Sequence, residues 1–297
     1  MPGASEKTMI PIFDGHVHLI GEDGDEYVAS LLRGMDRNNV PRAVVFGMQD
    51  DPESPDSLAL KAHQRWPDRF VPFASDISPT AADAAEVLDR RLAGGIWHGV
   101  GEIFVAAEQQ AADYQTRQGE PRQWRYPLPP EGPLSPRFCE VFEVCAKHEL
   151  PVLAHCEDAR VLEKLLARHP RTDFIWGHAD WSMEAAGRLL PVYPNLYVEI
   201  GTAVHFWALE GCPAVDYMDD WRRCWSPLLE QFQGRITFGS DPFEWRHADT
   251  DEHVDCAYSP IRRFSEGISR QAAEVWLWGT LSGLLERKER RDARNHA

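Results

Sequence analysis

Eight short apolar runs punctuate the 297-residue chain, at 10–19, 43–48, 70–77, 99–105, 150–156, 173–178, 195–201 and 235–241. Most are rich in Val, Ile and Phe and lack strict apolar–polar alternation, the pattern of strands covered on both faces. Between them lie stretches with helical periodicity, including 81–92, 136–148, 158–169 and 182–190. Proline repeatedly ends such a stretch just before the next run, as in Arg65-Trp66-Pro67-Asp68-Arg69-Phe70 and Val192-Tyr193-Pro194-Asn195-Leu196, because it cannot continue a helical hydrogen-bond ladder. Repeated strand–helix units with short returns imply a parallel sheet. Eight such units in a chain of this length predict an α/β fold of the closed (β/α)8 type, a TIM barrel, with the doubly wound open sheet as competitor. The barrel is expected over 10–286, between a polar tail at 1–9 and a charged tail at 287–297. Long loops are expected after strands four (106–135) and seven (202–221), on the face where barrel active sites form.

Hydrophobic residues make up 43% of the chain, enough for a large core. Asp and Glu (47) outnumber Lys and Arg (31), giving a formal charge of −16. That balance argues against nucleic acid or an anionic membrane as partner, since both require a basic face. No apolar run reaches the length of a membrane span, and no apolar signal core follows Met1. The six cysteines are scattered with no C-x-x-C pair, which reads as reduced thiols and not as a disulfide frame or zinc knuckle. A soluble cytoplasmic enzyme acting on a small molecule is expected, and homo-oligomeric assembly is compatible with it.

The chemistry concentrates at the ends of the runs. The first ends in Asp14-Gly15-His16-Val17-His18. Residues i and i+2 of a strand share a face, so His16 and His18 can offer two imidazoles to one ion. The fourth run contains Gly101-Glu102, the fifth ends near His155, the sixth in His178 and the eighth in Gly239-Ser240-Asp241. In a barrel these side chains converge on one mouth. A mixed His and carboxylate set without cysteine suits Zn2+ or another divalent ion in an open, catalytic site, with one or two ions per chain.

Asp-Gly-His-Val-His on the first strand, "PVLAHCED", "FIWGHADW" and "ITFGSDPFEW" together resemble the amidohydrolase superfamily, and most closely its amidohydrolase 2 (amidohydrolase-related) family. The resemblance spans about residues 10–285 and implies a (β/α)8 barrel with a mono- or binuclear divalent metal centre. It implies that His16, His18, His155, His178 and Asp241 are metal ligands, and that Asp241 also moves protons. Glu102 resembles the fourth-strand carboxylate that bridges two metals in some relatives; no lysine lies near that strand end, which disfavours a carbamate bridge. Trp278-Gly279-Thr280 departs from the Gly-Asn-Ala of many relatives, and helix capping is the expected consequence. The family includes lactonases and other hydrolases, non-oxidative decarboxylases of aromatic or unsaturated acids, and hydratases.

The resemblance therefore implies a metal-dependent hydrolase of an ester, lactone or amide, with His178 and Asp241 as catalytic residues. The alternatives are a decarboxylase on the same scaffold, a metal-dependent deoxyribonuclease disfavoured by the charge, and a non-catalytic binding barrel. Glu102 is either a ligand or the hydrogen-bonded orienter of a neighbouring histidine. Trp181, His205, Trp245 and Arg246 are candidate substrate contacts, set against packing, loop or surface ion-pair roles. Arg117, Arg122, Trp124, Arg125 and Tyr126 offer cations and aromatics in the loop after the fourth run. Cys156 should point away from the mouth as a small buried hydrophobe. Glu199, on the seventh run, is either an interior acid or a buried structural one; the pattern leaves both open.

Overall fold

The eight apolar runs become eight parallel strands, paired in the order β1-β2-β3-β4-β7-β8-β9-β10. They are β1 (Phe13–His18), β2 (Arg42–Phe46), β3 (Phe70–Ala74), β4 (Gly99–Ala106), β7 (Val152–Cys156), β8 (Phe174–Gly177), β9 (Leu196–Ile200) and β10 (Ile236–Phe238). The computed structural model describes residues 9–19, 24–49, 56–106, 112–115, 121–124, 132–202, 214–241 and 251–295. Its helices are α1 (Gly24–Arg37), α2 (Asp56–Arg65), α3 (Ala84–Leu92), α4 (Pro136–Lys147), α5 (Ala159–Arg168), α6 (Met183–Leu189), α7 (Ala214–Gln231), α8 (Asp251–Ser265), α9 (Arg270–Glu274) and α10 (Thr280–Asn295). Strand and helix alternate as the periodicity predicts, in a (β/α)8 TIM barrel.

Local chemistry accounts for several boundaries. Ser135 caps α4, its hydroxyl accepting from the Phe138 N–H, and Pro136 takes the first helical position, where no N–H is needed. Asp158 caps α5 in the same way through the Arg160 N–H at 2.8 Å. Leu162, Leu165 and Leu166 form the buried stripe of that helix, at helical spacing.

Strand side chains divide between two cores. Ile12, Val17, Val45, Val100, Val152, Trp176 and Val198 pack outward beneath the helices. Phe13, Val44, Phe46, Val71, Phe73, Leu153, Ile175 and Tyr197 fill the interior at the end where the strands begin. Leu281, Leu284 and Leu285 of α10 close that end. The barrel is therefore packed at one end, and its chemistry is confined to the other.

Three features differ from the sequence expectation. A short antiparallel hairpin, β5 (Ala112–Gln115) with β6 (Pro121–Trp124), interrupts the expected loop after β4. The segment read as loop through residue 221 is helical from Ala214, and the stripe Trp221, Trp225 and Leu229 supplies its buried face. Trp278-Gly279-Thr280 closes a π-helical turn, Val275–Gly279, at the start of α10, and Thr280 caps it: its backbone N–H and, at 3.0 Å, its hydroxyl donate to the Val275 carbonyl. The helix also runs on past residue 287, where Arg287 donates to Asp173 at 2.8 Å and to the Tyr197 hydroxyl at 2.7 Å.

The first and last strands are joined through Asp14. Its fully buried carboxylate accepts from the backbone N–H of His16 (3.1 Å) and of Ser240 (2.9 Å), from the Ser240 hydroxyl, and from the Tyr258 hydroxyl (2.8 Å). The Asp241 N–H donates to the His16 carbonyl at 2.9 Å beside it. Burial raises the Asp14 carboxyl to about 6 in spite of these donors. Asp14→Asn keeps the shape but replaces an acceptor oxygen with a donor, leaving about two buried bonds unmade. It should lower stability by about 2–4 kcal/mol, and Tyr258→Phe by about 1–2 kcal/mol. Urea denaturation of both variants tests the ranking; equal stability of Asp14→Asn and wild type would contradict it.

Candidate metal centre

The six predicted ligands converge at the C-terminal ends of the strands, from β1 (His16, His18), β4 (Glu102), β7 (His155), the turn after β8 (His178) and the turn after β10 (Asp241). Simple alternation does not put them there. Phe13 faces the barrel interior and Val17 the outer core, so inward-facing His16 and His18 require a change of parity within β1. A register shift against β2 between Asp14 and Val17 supplies it. β4 repeats the device: its pairing with β7 shifts between Val100 and Ile103, both outward, and Glu102 turns in. Each bulge carries a glycine just before the ligand. At Gly101 φ is +130°, and a Cβ would lie 2.3 Å from the Leu153 carbonyl oxygen, so no other residue fits. His178 and Asp241 both occupy the left-handed region, at φ 57° and 40°. This costs of order 1–3 kcal/mol each and is the kind of strain found at functional sites.

Glu102 lies at the centre of the cluster. Its Oε1 is 2.8 Å from His178 Nε2 and 2.9 Å from His155 Nδ1, while its Oε2 is 3.5 Å from His18 Nε2. Asp241 Oδ1 stands 3.7 Å from His16 Nε2 and 3.8 Å from His18 Nε2, and its Oδ2 is 3.7 Å from His178 Nε2. Three overlapping triads result: His16, His18 and Glu102; His16, His178 and Asp241; Glu102, His155 and His178. Each offers ligand atoms within 4.8 Å of one another.

Two observations fit this set to a cation. First, His18 Nδ1 lies 2.8 Å from the Gly47 carbonyl, which can only accept, so this nitrogen carries a hydrogen. His16 Nδ1 lies 2.7 Å from a carboxyl oxygen of Glu199. With each Nδ1 engaged, the two Nε2 atoms face each other at 3.3 Å, where either a shared hydrogen or a cation satisfies both. Second, Asp241 Oδ1 is buried without a hydrogen-bond partner. The group could hold a divalent metal ion, and its N/O composition suits a borderline one.

The electrostatics are those of a carboxylate among buried imidazoles. Burial drives His16 down to about 3, which keeps it neutral. Burial opposes ionisation of Glu102, but the imidazoles of His155, His16 and His178 hold it well below the usual carboxylate range. Burial also works against a charged His155, and the Glu102 charge and hydrogen bond outweigh it, raising His155 to about 9.

Of the other candidates, Trp181 sits just beyond His178 and is 57% exposed. His205, Trp245 and Arg246 lie outside the described residues, as do the side chains of Arg117, Arg122, Trp124, Arg125 and Tyr126. Cys156 is buried, its Sγ–H donates to the Asp158 carbonyl at 3.2 Å, and burial raises its thiol to about 12, as expected of an inert side chain. The motif reading missed Asp14 as the clasp between strands, and Thr202, whose hydroxyl lies 3.1 Å from His178 Nδ1. It left Glu199 undecided. The alternating pattern of β9, with Tyr197 facing the interior, was the only signal for Glu199.

A sequence profile of the family described as Amidohydrolase matches residues 13–280, and the chain belongs to that family. No curated protein sequence matches it. Among solved structures, an amidohydrolase from Burkholderia multivorans with bound zinc is similar at 14% identity, with a TM-score of 0.64 over 93% of this chain and 99% of that one. A 2,6-dihydroxybenzoate decarboxylase from Rhizobium is similar at 17% identity, with a TM-score of 0.54 over 94% and 99%. A 4-oxalomesaconate hydratase from Rhodopseudomonas palustris is similar at 12% identity, with a TM-score of 0.58 over 96% and 98%. At these identities the likeness is one of fold.

The site sets how the metal-free protein responds to pH. Burial raises Asp180 to about 7, and His155 stands at about 9. Both bind protons in the folded chain that the unfolded chain, with ordinary values near 4 and 6.5, has released. Where the native state holds more protons, stability falls as pH rises. In the presence of a chelator the urea midpoint should therefore drop between pH 6.5 and 9, by on the order of 1–3 kcal/mol in free energy. A midpoint that climbs over this range would contradict the assignment.

Proposed function

We propose that the chain is a metal-dependent hydrolase that opens an ester, lactone or amide bond of a small organic molecule. The observation that carries this reading is the position of Glu102. Its Oε2 faces His18 at 3.5 Å, while its Oε1 faces His155 and His178 at 2.9 and 2.8 Å with His16 at 3.9 Å, so its two oxygens meet different imidazoles, as those of a carboxylate shared by two ions would. His16, His18 and Asp241 would hold one ion and His155 and His178 the other. Zinc is the proposed metal, supported by the donor set and by the zinc in the similar Burkholderia structure.

Such a centre, when bound, lowers the pKa of water towards neutrality and polarises a carbonyl. The side chains supply the proton traffic. Asp241 accepts the proton that the attacking water gives up and returns it to the departing oxygen or nitrogen, so that one water is consumed per bond cleaved. His178, 3.7 Å from Asp241 Oδ2, is proposed either to hold the second ion or to polarise the substrate oxygen. Trp181 at the rim, with His205, Trp245 and Arg246 from the following loops, is proposed to meet the substrate. The charge of −16 supports a small-molecule substrate over nucleic acid. The free thiols Cys139, Cys145, Cys156 and Cys224 support a reducing compartment such as the cytoplasm, and no helix among the described residues is long and apolar enough to cross a membrane.

A second reading, non-oxidative decarboxylation of an aromatic or unsaturated acid, has support in the unpartnered Asp241 Oδ1, which could equally deliver a proton to a carbanion-like carbon. Metal stoichiometry separates the two, since two ions per chain favour hydrolysis.

Metal analysis of purified protein should find a divalent ion, and the double variant His16→Ala, His18→Ala should lose it; unchanged metal content would end the proposal. Screened against lactones, esters, amides and aromatic acids, wild type should hydrolyse a member of the first three classes. Asp241→Asn should cut kcat by at least about 100-fold, the typical share of a general base, with its far-UV circular dichroism unchanged. Wild-type turnover in that variant would mean the base is assigned wrongly.

A further inference from the structure

Glu199 is buried within the barrel, at 1% exposure, with one oxygen 2.7 Å from His16 Nδ1. His16 is itself fully buried and presents its other nitrogen to the cluster. The space for Glu199 is set by two glycines that flank the ligands. A Cβ on Gly239, two residues before Asp241, would lie 2.3 Å from Glu199 Cδ. A Cβ on Gly15, next to His16, would lie 3.2 Å from Glu199 Oε2 and 2.9 Å from the Phe238 carbonyl. Three strands, β1, β9 and β10, thus combine to admit one carboxyl group behind one imidazole. Glu199 Oε2 is buried without a hydrogen-bond partner, so the side chain's polar contact among the described residues is His16. An acid held this deep with half of its hydrogen-bonding capacity unused is unfavourable for folding, and a packing role would be served better by an apolar residue.

We propose that Glu199 is a positioning residue for the metal centre: it accepts the His16 Nδ1–H, which fixes the tautomer that turns the Nε2 lone pair toward the cluster. The inference rests on the metal-centre reading for its purpose; the 2.7 Å contact fits either direction of the hydrogen, and the Nδ1–H form is the one that leaves the Nε2 lone pair to the cluster. A carboxylate behind a ligating imidazole orients the ring and raises its basicity, and loss of such a partner typically costs 10–100-fold in metal affinity.

The test has two arms. In the first, the Kd for zinc is measured by chelator competition for wild type, Glu199→Ala and Glu199→Gln. Glu199→Ala should bind 10–100-fold more weakly, and Glu199→Gln, which retains an acceptor oxygen and nearly the same shape, should lose less than tenfold. In the second, the 15N shifts of His16 are read by NMR in metal-free protein at pH 9. Wild type should carry its hydrogen on Nδ1, and Glu199→Ala should show a mixture of tautomers. Zinc binding by wild type with unchanged affinity in Glu199→Ala overturns the inference and leaves the metal centre standing. No zinc binding by wild type, with the tautomer still lost in Glu199→Ala, overturns the metal centre and leaves the positioning role. If Glu199→Ala does not fold, the wild-type tautomer decides: a hydrogen on Nε2 overturns the inference.

Discussion

The hydrogen bonds gathered by Asp14 hold the two ends of the barrel sheet together, and the site depends on that junction. Parallel sheets close only if the last strand meets the first, and β10 is short, with three residues in its ladder. A charged acceptor compensates, taking donors from β1, from the turn after β10 and from α8. The consequence for chemistry is direct. The junction brings Asp241 beside His16 and His18, residues more than two hundred positions away in the chain, and the backbone bond between Asp241 and His16 fixes their relative height. Charge-assisted bonds of this kind are among the stronger ones available to a protein, and a precise donor set needs such a rigid base.

Beyond the junction, the barrel spends conformational strain at its mouth. Three candidate ligands lie on bulged strands and two at left-handed backbone positions. The other end is conventional: large apolar side chains in layers, closed by α10. The two ends have different requirements. A packed end gains from burial of apolar area, whereas a mouth must aim nitrogen and oxygen lone pairs at a common point, which regular strand geometry does not do by itself.

This division explains what the sequence made legible. The count and order of strands could be read because strands covered on both faces leave apolar runs, and proline marks the returns between them. The candidate ligands could be read because His16, His18, His155, His178 and Asp241 stand at or near run ends in chain order, with Glu102 inside the fourth run. The bulges could not be read, since a one-residue shift in pairing leaves the composition unchanged; glycine before His16 and before Glu102 is the trace they leave. Asp14 looked like part of a metal motif, yet three of its four donors come from segments that meet it only after closure. Glu199 sits in a run that is otherwise apolar, and its partner is 183 positions away. The helix from Ala214 was read as loop because Asp216, Asp219 and Asp220 obscured the stripe that follows at Trp221, Trp225 and Leu229.

The remaining question is why one donor set supports two chemistries, and Glu102 supplies the physical answer. A buried carboxylate is stable as an anion only while positive charge surrounds it, and here the imidazoles of His155 and His178, both raised against their burial by the Glu102 charge, are placed to provide it in the metal-free chain. Each cation that enters the cluster replaces protons on those imidazoles. With two ions, Glu102 would be neutralised from both sides and Asp241 left to move a proton between water and leaving group. With one, Glu102 must still be balanced on its other side, and a protonated His155 or His178 is the group placed to do so, at 2.9 and 2.8 Å. A site that keeps such a proton beside its substrate is suited to protonating carbon, whereas one that has exchanged it for a second ion is suited to activating water. On the proposed metal centre, the choice between hydrolysis and decarboxylation would therefore turn on which positive charge balances Glu102.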